Sequence, residues 1–274
     1  MHQPRTVVVM LATAVLTSAC ATSPSVTASP GTTPTVIPSV AASVAVPTIL
    51  PTAASQEGVV VTQKLVFAWQ DSTGASSPTF QVIVEFQNQG TGWVQQSPGI
   101  GPRFSILGPS GAVTINNGVF SHALPELVGP GDKGYLLEDG TWPNTTVAAF
   151  ATVDVTLGPG SFSRVAAPPD ASFKMNAIKW ATSGSNPGIN ASGTWIDLGS
   201  APVGDIDIAV LCIGKDGSIL GAAMDTSAIG GYIGYTLKQP RPFGTDVATP
   251  PLKPSDCAKS IGLLGQSATD SRLN

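Results

Sequence analysis

Short runs of β-branched and aromatic residues, separated by turns rich in glycine and proline, are the feature that most limits how this chain can fold. Residues 65–69 (LVFAW) and 80–86 (FQVIVEF) are the first two such runs. In the second, the apolar residues Phe80, Val82, Val84 and Phe86 alternate with Gln81, Ile83 and Glu85. Alternation with a period of two is typical of a β-strand with one face on a core, so both runs are predicted to be half-buried strands. Residues 88–92 (NQGTG) then break the pattern as a turn does.

Further along, the same kind of pattern predicts a β-hairpin and additional strands. Residues 103–107 (RFSIL) and 112–115 (AVTI) flank the turn sequence Gly-Pro-Ser-Gly. More strands are expected at 134–137 and 146–157. Charged residues make up 11% of the chain, against roughly 25% in typical soluble domains, and turn-forming residues are abundant, with 30 Gly and 24 Pro. The sequence therefore predicts an all-β protein.

The start of the chain has the pattern of an export signal. Residues 6–16 (TVVVMLATAVL) form an apolar run that is too short to span a bilayer, and Arg5 precedes it. Small residues then lead to Cys20, which resembles the lipobox of bacterial lipoproteins, although Thr17 stands where Leu is usual. The resemblance implies cleavage before Cys20 and fatty acylation of its thiol, with about 0.8 kcal/mol of anchoring per buried CH₂ group. An ordinary secretory leader cleaved after Ala19 or Ala21 is the alternative.

After Cys20 the composition changes to that of a linker. Residues 21–56 are almost wholly Ser, Thr, Pro, Ala and Val, and the first charged residue after them is Glu57. Such a stretch cannot bury enough apolar surface to offset the entropy of ordering it. We expect a disordered tether over 20–56, which at about 3.1 Å per residue would reach on the order of 100 Å from a lipid surface.

The second half of the chain repeats the order of patterns in the first. Residues 177–180 (AIKW) echo 66–69 (VFAW), and 206–213 with the turn and strand that follow match 104–113 without a gap across the turn. Recurrence in the same order predicts two copies of one β-sandwich. Chance resemblance between short apolar strands around glycine turns is the alternative.

Residues 208–221 (IAVLCIGKDGSILG) resemble the immunoglobulin-like modules of bacterial surface proteins that are called FxLYD domains. In that family a strand, a Gly-x-x-Gly or Asp-Gly turn and a second strand follow one another. Cys212 and Ile213 stand where the family more often has Tyr and Asp, and the first copy matches less well. The resemblance implies two tandem immunoglobulin-like β-sandwich domains in an extracytoplasmic setting, and it brings no catalytic residues.

The expected organisation has four regions, and one disulfide is expected in the last of them. The regions are a lipoprotein signal peptide at 1–19, the tether at 20–56, a β-sandwich at 57–165 and a second β-sandwich with a Pro-rich tail at 166–274. Cys212 and Cys257 are the two cysteines that follow Cys20. An even pair in an exported protein is more often bridged than free, so we predict that these two form a disulfide.

No catalytic pattern stands out. His122 is the one histidine that remains after the leader, so any Ser-His-Asp or Cys-His site must include it. Neither a G-x-S-x-G motif nor a phosphate-binding loop occurs, and His122 is expected in a loop beside Ser121. An envelope hydrolase with an unrecognised site would need His122 to converge with Asp132 or Asp139 in a cleft. The chain is therefore predicted not to be an enzyme.

The sequence offers few ligands for a metal or a cofactor. Two cysteines in a predicted disulfide and one histidine fall short of a zinc site. Asp197, Asp205 and Asp207 are weak candidates for Ca²⁺, since all three precede the same turn and Asp205 and Asp207 point to one side of a strand. Solvent-facing acids explain these residues equally well, and no cofactor is expected.

Two tryptophans are the candidates for a binding surface. Trp69 and Trp180 lie on apolar strands and are expected in the core, whereas Trp93 and Trp142 lie in Gly- and Pro-rich stretches. Exposed indoles stack on sugar rings or anchor protein interfaces. We expect a non-enzymatic surface lipoprotein, on the outer side of the cell membrane or on the outer membrane, that binds a protein or glycan through loops at the sandwich ends.

Alternative functions are the hydrolase described above and an assembly role in which an exposed sheet edge pairs with another strand. The formal charge of −4, which becomes −5 when the +1 of Arg5 leaves with the leader, argues against a nucleic-acid partner.

Overall fold

The elements of the protein are described by a computed structural model that covers residues 57–70, 77–97, 100–166, 173–182, 188–199, 206–225, 236–246 and 249–266. These residues belong to one compact unit. Apart from two 3-10 turns, Val147–Ala149 and Pro254–Asp256, their regular structure is entirely β. The strands are β1 (Val59–Gln70), β2 (Pro78–Asn88), β3 (Trp93–Gln96), β4 (Arg103–Leu107), β5 (Val113–Val119), β6 (His122–Leu124), β7 (Leu127–Val128), β8 (Lys133–Thr141), β9 (Thr152–Thr156), β10 (Phe162–Val165), β11 (Phe173–Thr182), β12 (Ile189–Asp197), β13 (Ile206–Ile213), β14 (Ile219–Asp225), β15 (Arg241–Gly244) and β16 (Lys259–Gln266).

The prediction of an all-β protein is confirmed. The strands form one four-stranded sheet, in the order β1-β2-β8-β6, and four three-stranded sheets. Each three-stranded sheet is named here for its central strand: the β3 sheet (β10-β3-β7), the β4 sheet (β5-β4-β9), the β12 sheet (β11-β12-β15) and the β13 sheet (β14-β13-β16). All pairings are antiparallel.

The first core lies between the four-stranded sheet and the β3 and β4 sheets. Val82, Val84 and Phe86 of β2 face it, and the ring of Phe86 lies 5.0 Å from that of Phe162. Phe80 stacks on Phe150 at 5.7 Å at the other end of β2. Alternate residues of each strand point to the same side, so these residues share one face of the four-stranded sheet.

A second core lies between the β12 and β13 sheets. It contains Trp195, which is completely buried, together with Phe243 and the residues of β13 that point away from the first half. Two facing antiparallel sheets around an apolar core are the arrangement of a β-sandwich.

The opposite face of β13 contributes to a third core, called the seam core here, which joins the two halves of the chain. Leu65, Ile83 and Leu137 of the four-stranded sheet meet Ala209 and Leu211 of β13 there. The sheets are therefore layered in the order β4 sheet, four-stranded sheet, β13 sheet and β12 sheet, with an apolar core between each neighbouring pair.

This layering corrects the expectation of half-buried strands. Gln81 and Ile83 are as completely buried as Val82 and Val84, because the first core covers one face of β2 and the seam core covers the other. All eight residues of β13 are buried for the same reason. Strands covered on both faces have continuous apolar sequences, and IDIAVLCI in β13 is such a sequence.

The predicted hairpin is present, and a second hairpin is closed in the same way. In the β4–β5 turn the Gly108 N–H donates to Ala112 O at 2.8 Å, and in the β13–β14 turn the Gly214 N–H donates to Ser218 O at 2.8 Å. Gly111 has a φ of 79° at the equivalent place to Gly217, with a φ of 87°, a conformation that costs other residues strain.

Strand pairing also repeats between the halves. In the first half β1 pairs with β2, and β2 pairs with β8; in the second half β11 pairs with β12, and β12 pairs with β15. Likewise β4 lies between β5 and β9, as β13 lies between β14 and β16. The two halves therefore share one connectivity across six strands.

The tryptophan echo between the halves does not match in three dimensions. Trp69 is buried in the seam core, which agrees with its expected place. Trp180 is half-buried on the second core and donates its indole N–H to Ser260 Oγ at 2.9 Å. The two indoles thus point to different faces of their sheets: Trp69 lies opposite Thr79 of β2, whereas Trp180 lies opposite Ala191 of β12, which belongs to the second core.

Candidate functional site: an acid–histidine cluster at the seam

His122 lies in a short strand at the seam rather than in a loop, which corrects the prediction for this residue. β6 pairs with β8 and places His122 opposite Leu137, on the face that looks toward the β13 sheet. Its Nδ1 atom lies 3.0 Å from Oδ2 of Asp207, in β13. The side chains of His122 and Asp207 are 21% and 12% exposed, so the pair is largely shielded from water.

Two further carboxylates flank the imidazole on β8. Glu138 Oε2 accepts a hydrogen bond of 2.7 Å from the Ser121 N–H, and the Ser121 hydroxyl is a second donor to the same carboxylate. The charges of Glu138 and Asp139 both act on His122. One imidazole is thus in contact with Asp207 and within the electrostatic influence of Glu138 and Asp139, at the place where the two halves meet.

The surroundings raise the pKa values of three groups in this cluster. Burial lowers the pKa of His122, but the hydrogen bond to Asp207 and the charges of Asp207, Glu138 and Asp139 more than offset this, so the pKa is raised. Burial raises the pKa of Glu138, and burial with the charge of Glu138 raises the pKa of Asp139 to about 6. The cluster therefore holds protons more strongly than the separate groups would in water.

The described groups of the cluster bind protons, and they form only part of a nucleophilic site. A histidine oriented by an aspartate is one half of a nucleophilic site, but such a site also needs a hydroxyl or thiol in contact with the imidazole. The hydroxyl of Ser121 is bonded to Glu138 instead. Of the two acids named for the hydrolase alternative, Asp139 interacts with His122 through its charge. Asp132 lies at the other end of β8, where its N–H donates to Gly129 O at 3.1 Å.

The two tryptophans of the predicted binding surface lie at opposite ends of β8. Trp93 opens β3 and is half-buried, with its ring against Gly129, just before β8 begins. Trp142 follows the last residue of β8, donates its N–H to Pro78 O at 3.0 Å and is 39% exposed. Nine residues of strand at about 3.3 Å each separate them, so the two indoles do not form one patch.

The candidate calcium ligands are not gathered at one point. Asp197 is buried and accepts the Gly199 N–H at 2.7 Å, while Asp207 pairs with His122 on another strand. Asp205 lies outside the described residues, as do Cys20 and the tether. Within the part of the chain that the structure describes, no group of three or more His, Cys, Asp or Glu is arranged to hold a metal ion.

The predicted disulfide is confirmed. Cys212 and Cys257 are bonded, with their Cα atoms 5.0 Å apart. Cys212 lies within the buried strand β13, and Cys257 follows the 3-10 turn Pro254–Asp256. The bond thus fixes the segment before β16 to the centre of the β13 sheet. A shallow depression of about 520 Å³ lies beside it, lined by polar residues that include Asp216 and Asp256.

Sequence reasoning missed the cluster because its members are distant in the chain. His122 and Asp207 are 85 residues apart, and Gln81 bonds to Ala222 across 141 residues. The one local signal was an ionisable residue within an otherwise apolar run, as Asp207 is in IDIAVLCI. A buried charge is costly unless it is paired, so such a residue indicates a partner without naming it.

Comparisons with known proteins leave the classification open. Among the described residues no helix is long and apolar enough to cross a membrane. Neither the protein-family models, nor the curated proteins, nor the solved structures contain a match to this chain.

Proposed function

We propose that the protein is a non-enzymatic lipoprotein of the bacterial cell envelope that binds a protein or glycan partner with the loops at one end of its first sandwich. In this proposal Cys20 carries the lipid, residues 20–56 are a flexible tether, and the remainder is a pair of immunoglobulin-like sandwiches. The observation that carries the binding function is the exposed indole of Trp142.

Export is supported at two places in the chain. The apolar run at 6–16 and the lipobox-like residues before Cys20 are those of an exported lipoprotein. The Cys212–Cys257 disulfide is typical of proteins that fold in an oxidising compartment, which the cytoplasm of most bacteria is not.

The architecture of the body supports two related sandwiches. Six strands in each half have the same pairing, and the two hairpins close with matching hydrogen bonds. We infer that the halves are copies of one immunoglobulin-like unit, in line with the resemblance of 208–221 to FxLYD modules. The apolar seam core then makes the pair a rigid platform for loops.

Trp142 lies among loops that are held together at one end of the first sandwich. The turn after β4 and the segment after β8 meet where Thr114 Oγ1 donates to Ala149 O at 2.6 Å. Val113, beside that turn, is also a strongly exposed apolar residue. Tryptophan is enriched in binding hot spots, so an exposed indole on a rigid scaffold supports Trp142 as a contact residue.

Binding is tested with the purified protein, immobilised and exposed to envelope polysaccharide and detergent-solubilised envelope proteins in separate arms. Trp142→Ala should reduce retention at least tenfold, since loss of a central tryptophan typically costs about 2 kcal/mol or more. Leu198→Ala, at an exposed apolar residue after β12, is the matched control and should retain the partner. Equal retention by wild type and Trp142→Ala would refute the assignment of the surface.

Anchoring is tested separately in cells. Cys20→Ala should abolish incorporation of labelled fatty acid and release the protein from the membrane fraction. Unchanged fractionation with no label in the wild type would contradict the lipoprotein proposal.

A hydrolase is the second candidate, and the His122–Asp207 pair is the observation that favours it. Turnover of a generic ester or glycoside that disappears in His122→Ala and in Asp207→Asn, with no retention of envelope components by the wild type, would favour hydrolysis over binding.

A further inference from the structure

The charged groups that act on His122 and Asp139 come from several elements packed at the seam, and the four named here are acidic. Glu138 and Asp139 lie on β8, Asp207 lies on β13, and Asp246, just after β15, acts on Asp139. The Asp246 N–H donates to Met224 O at 3.0 Å, which ties this residue to the β13 sheet.

The other neighbouring elements bring no further cation that contacts His122 among the described residues. Glu126, on the turn after β6, is bonded to the amide of Gln95. β16 places Gly265 opposite Asp207, and Asp225 of β14 lies on the face opposite to Met224. The lysine ion pairs of the described residues, Lys64 with Asp154 and Lys133 with Glu85, are made by other carboxylates.

Negative charge therefore predominates where the two halves of the protein meet, and bound protons reduce the repulsion between the carboxylates. When His122 is protonated, the pair with Asp207 is an ion pair across the seam. When it is neutral, the charges of Asp207, Glu138 and Asp139 still act at this place, and no lysine or arginine among the described residues forms an ion pair with them. Like charges in a shielded place repel strongly, because little water screens them.

We propose that the seam is a proton-controlled joint, in which proton uptake by His122, Glu138 and Asp139 tightens the contact between the four-stranded sheet and the β13 sheet, and proton loss loosens it. The inference does not depend on the proposed binding function, since it concerns the joint between the halves. It predicts that the folded protein is more stable against unfolding at mildly acidic pH than at alkaline pH.

The direction of the pH dependence follows from linkage. A raised pKa of His122 adds stability that is complete below its ordinary value of 6.5 and is lost as pH rises through the folded value. The pKa of Asp139, raised from 3.8 to about 6, means that the folded protein holds this proton more strongly, so stability falls as pH rises through that window. Asp139 therefore makes the folded protein less stable as pH rises from about 4 to 6, and His122 does so as pH rises above 6.5.

The first measurement is urea unfolding of the full chain at several pH values from 5 to 8.5. The midpoint should fall steadily as pH rises. A midpoint that is constant or that rises over this range would overturn the proposal.

The decisive variant is Asp139→Asn, which imitates the protonated carboxyl. At pH 8 its unfolding constant should be roughly tenfold or more lower than that of the wild type, and its pH dependence should be weaker, since one unit of pKa is a factor of ten. Asp154→Asn is the matched control, because Asp154 is a carboxylate that is 63% exposed and paired with Lys64. Identical pH profiles for the two variants would refute the assignment to the seam.

Hydrogen exchange locates the effect within the molecule. After correction for intrinsic rates, peptides from β6, β8 and β13 should lose protection between pH 5.5 and 8 by a larger factor than peptides from β4 and β5. His122→Gln should remove most of that difference if it folds, and Asp139→Asn provides the same comparison if it does not. Equal loss of protection across all strands would indicate a general effect of pH and would contradict a joint at the seam.

Discussion

Gln81 is, besides His122, a residue through which the four-stranded sheet is hydrogen-bonded to the β13 sheet. Its side-chain amide donates to Ala222 O at 2.8 Å, and its carbonyl oxygen accepts the Ala222 N–H at 2.8 Å. β14 is an edge strand of its sheet, so the carboxamide takes the place that a neighbouring strand would occupy. Both the nitrogen and the oxygen of this buried carboxamide thus have a hydrogen-bond partner at the seam.

Replacing Gln81 by leucine tests this role. Gln81→Leu leaves the N–H and C=O of Ala222 without partners in a buried place, at about 1 to 3 kcal/mol for each group, so the free energy of unfolding should fall by about 2 to 6 kcal/mol. Urea unfolding measures the change. Gln87→Leu is the control, because its amide bonds to Gly131 O at an exposed position and should cost less than 1 kcal/mol. Similar losses for both would contradict the role assigned to Gln81.

The residue scale shows where sequence reasoning stops. In FQVIVEF, Gln81 stands among the polar positions of an alternating strand, and alternation alone predicts that it faces water. Its actual partner is 141 residues away. The disulfide could be predicted because oxidising export and an even cysteine count limit the choices to one pair, whereas nothing comparable limits the partners of a glutamine or a histidine.

At the scale of elements, β13 is the strand on which the second half is organised. It is buried on both faces, pairs with β14 and β16, and carries Cys212 one residue before its end. The segment bonded to it through Cys257 contains the 3-10 turn Pro254–Asp256, which has little buried apolar surface of its own. The disulfide therefore supplies a constraint that packing does not.

Removal of the disulfide should lower the stability of the protein without changing its fold. The bridge closes a separation of 45 residues, which in the chain-entropy model corresponds to about 3 to 4 kcal/mol. The double variant Cys212→Ala/Cys257→Ala should lose that amount in urea unfolding, and reductant should have no further effect on it. A midpoint that reductant leaves unchanged in the wild type would contradict the prediction.

Individual strands and turns were easier to predict from the sequence than the contacts between distant residues. The two hairpin turns and most strand positions follow from local patterns of apolar residues and glycine, and they are confirmed. The strand predicted at 146–157 is only partly present, because this segment begins with the 3-10 turn Val147–Ala149 and its strand, β9, covers Thr152–Thr156. Burial on both faces was missed, although the continuous apolar run of β13 is the signal for it. The equivalence of Trp69 and Trp180 was misleading, because a similar four-residue sequence does not fix which face a side chain occupies: Trp69 faces the seam core and Trp180 faces the second core.

At the scale of the whole molecule, the two halves stack in series rather than face to face about a symmetry axis. The four-stranded sheet of the first half meets the β13 sheet of the second, and β13 corresponds in connectivity to β4. The seam-facing residues of β13 are Ala209, Leu211 and Ile213, while the residues at matching distances before the β4 turn are Arg103, Ser105 and Leu107. The face of β13 that meets the first half is thus apolar, whereas the equivalent face of β4 is more polar. A third unit would therefore find no apolar surface on β4 to pack against.

A shared core has a thermodynamic consequence for the whole molecule. Either half in isolation would expose the seam-core residues of its own sheet, including Leu65, Phe67 and Trp69 in the first half. Exposing three such side chains costs about 1.5 to 3 kcal/mol each, which is a large part of the stability of a small domain. The halves should therefore unfold together, although separately folding domains are what tandem modules on a flexible chain would otherwise suggest.

Hydrogen exchange followed by mass spectrometry over a urea series tests the shared seam most directly. Peptides from β2 and β8 in the first half and from β12 and β13 in the second should lose protection with one common midpoint and one slope. Two separate midpoints, one for each half, would show that the seam core does not join them and would contradict the account.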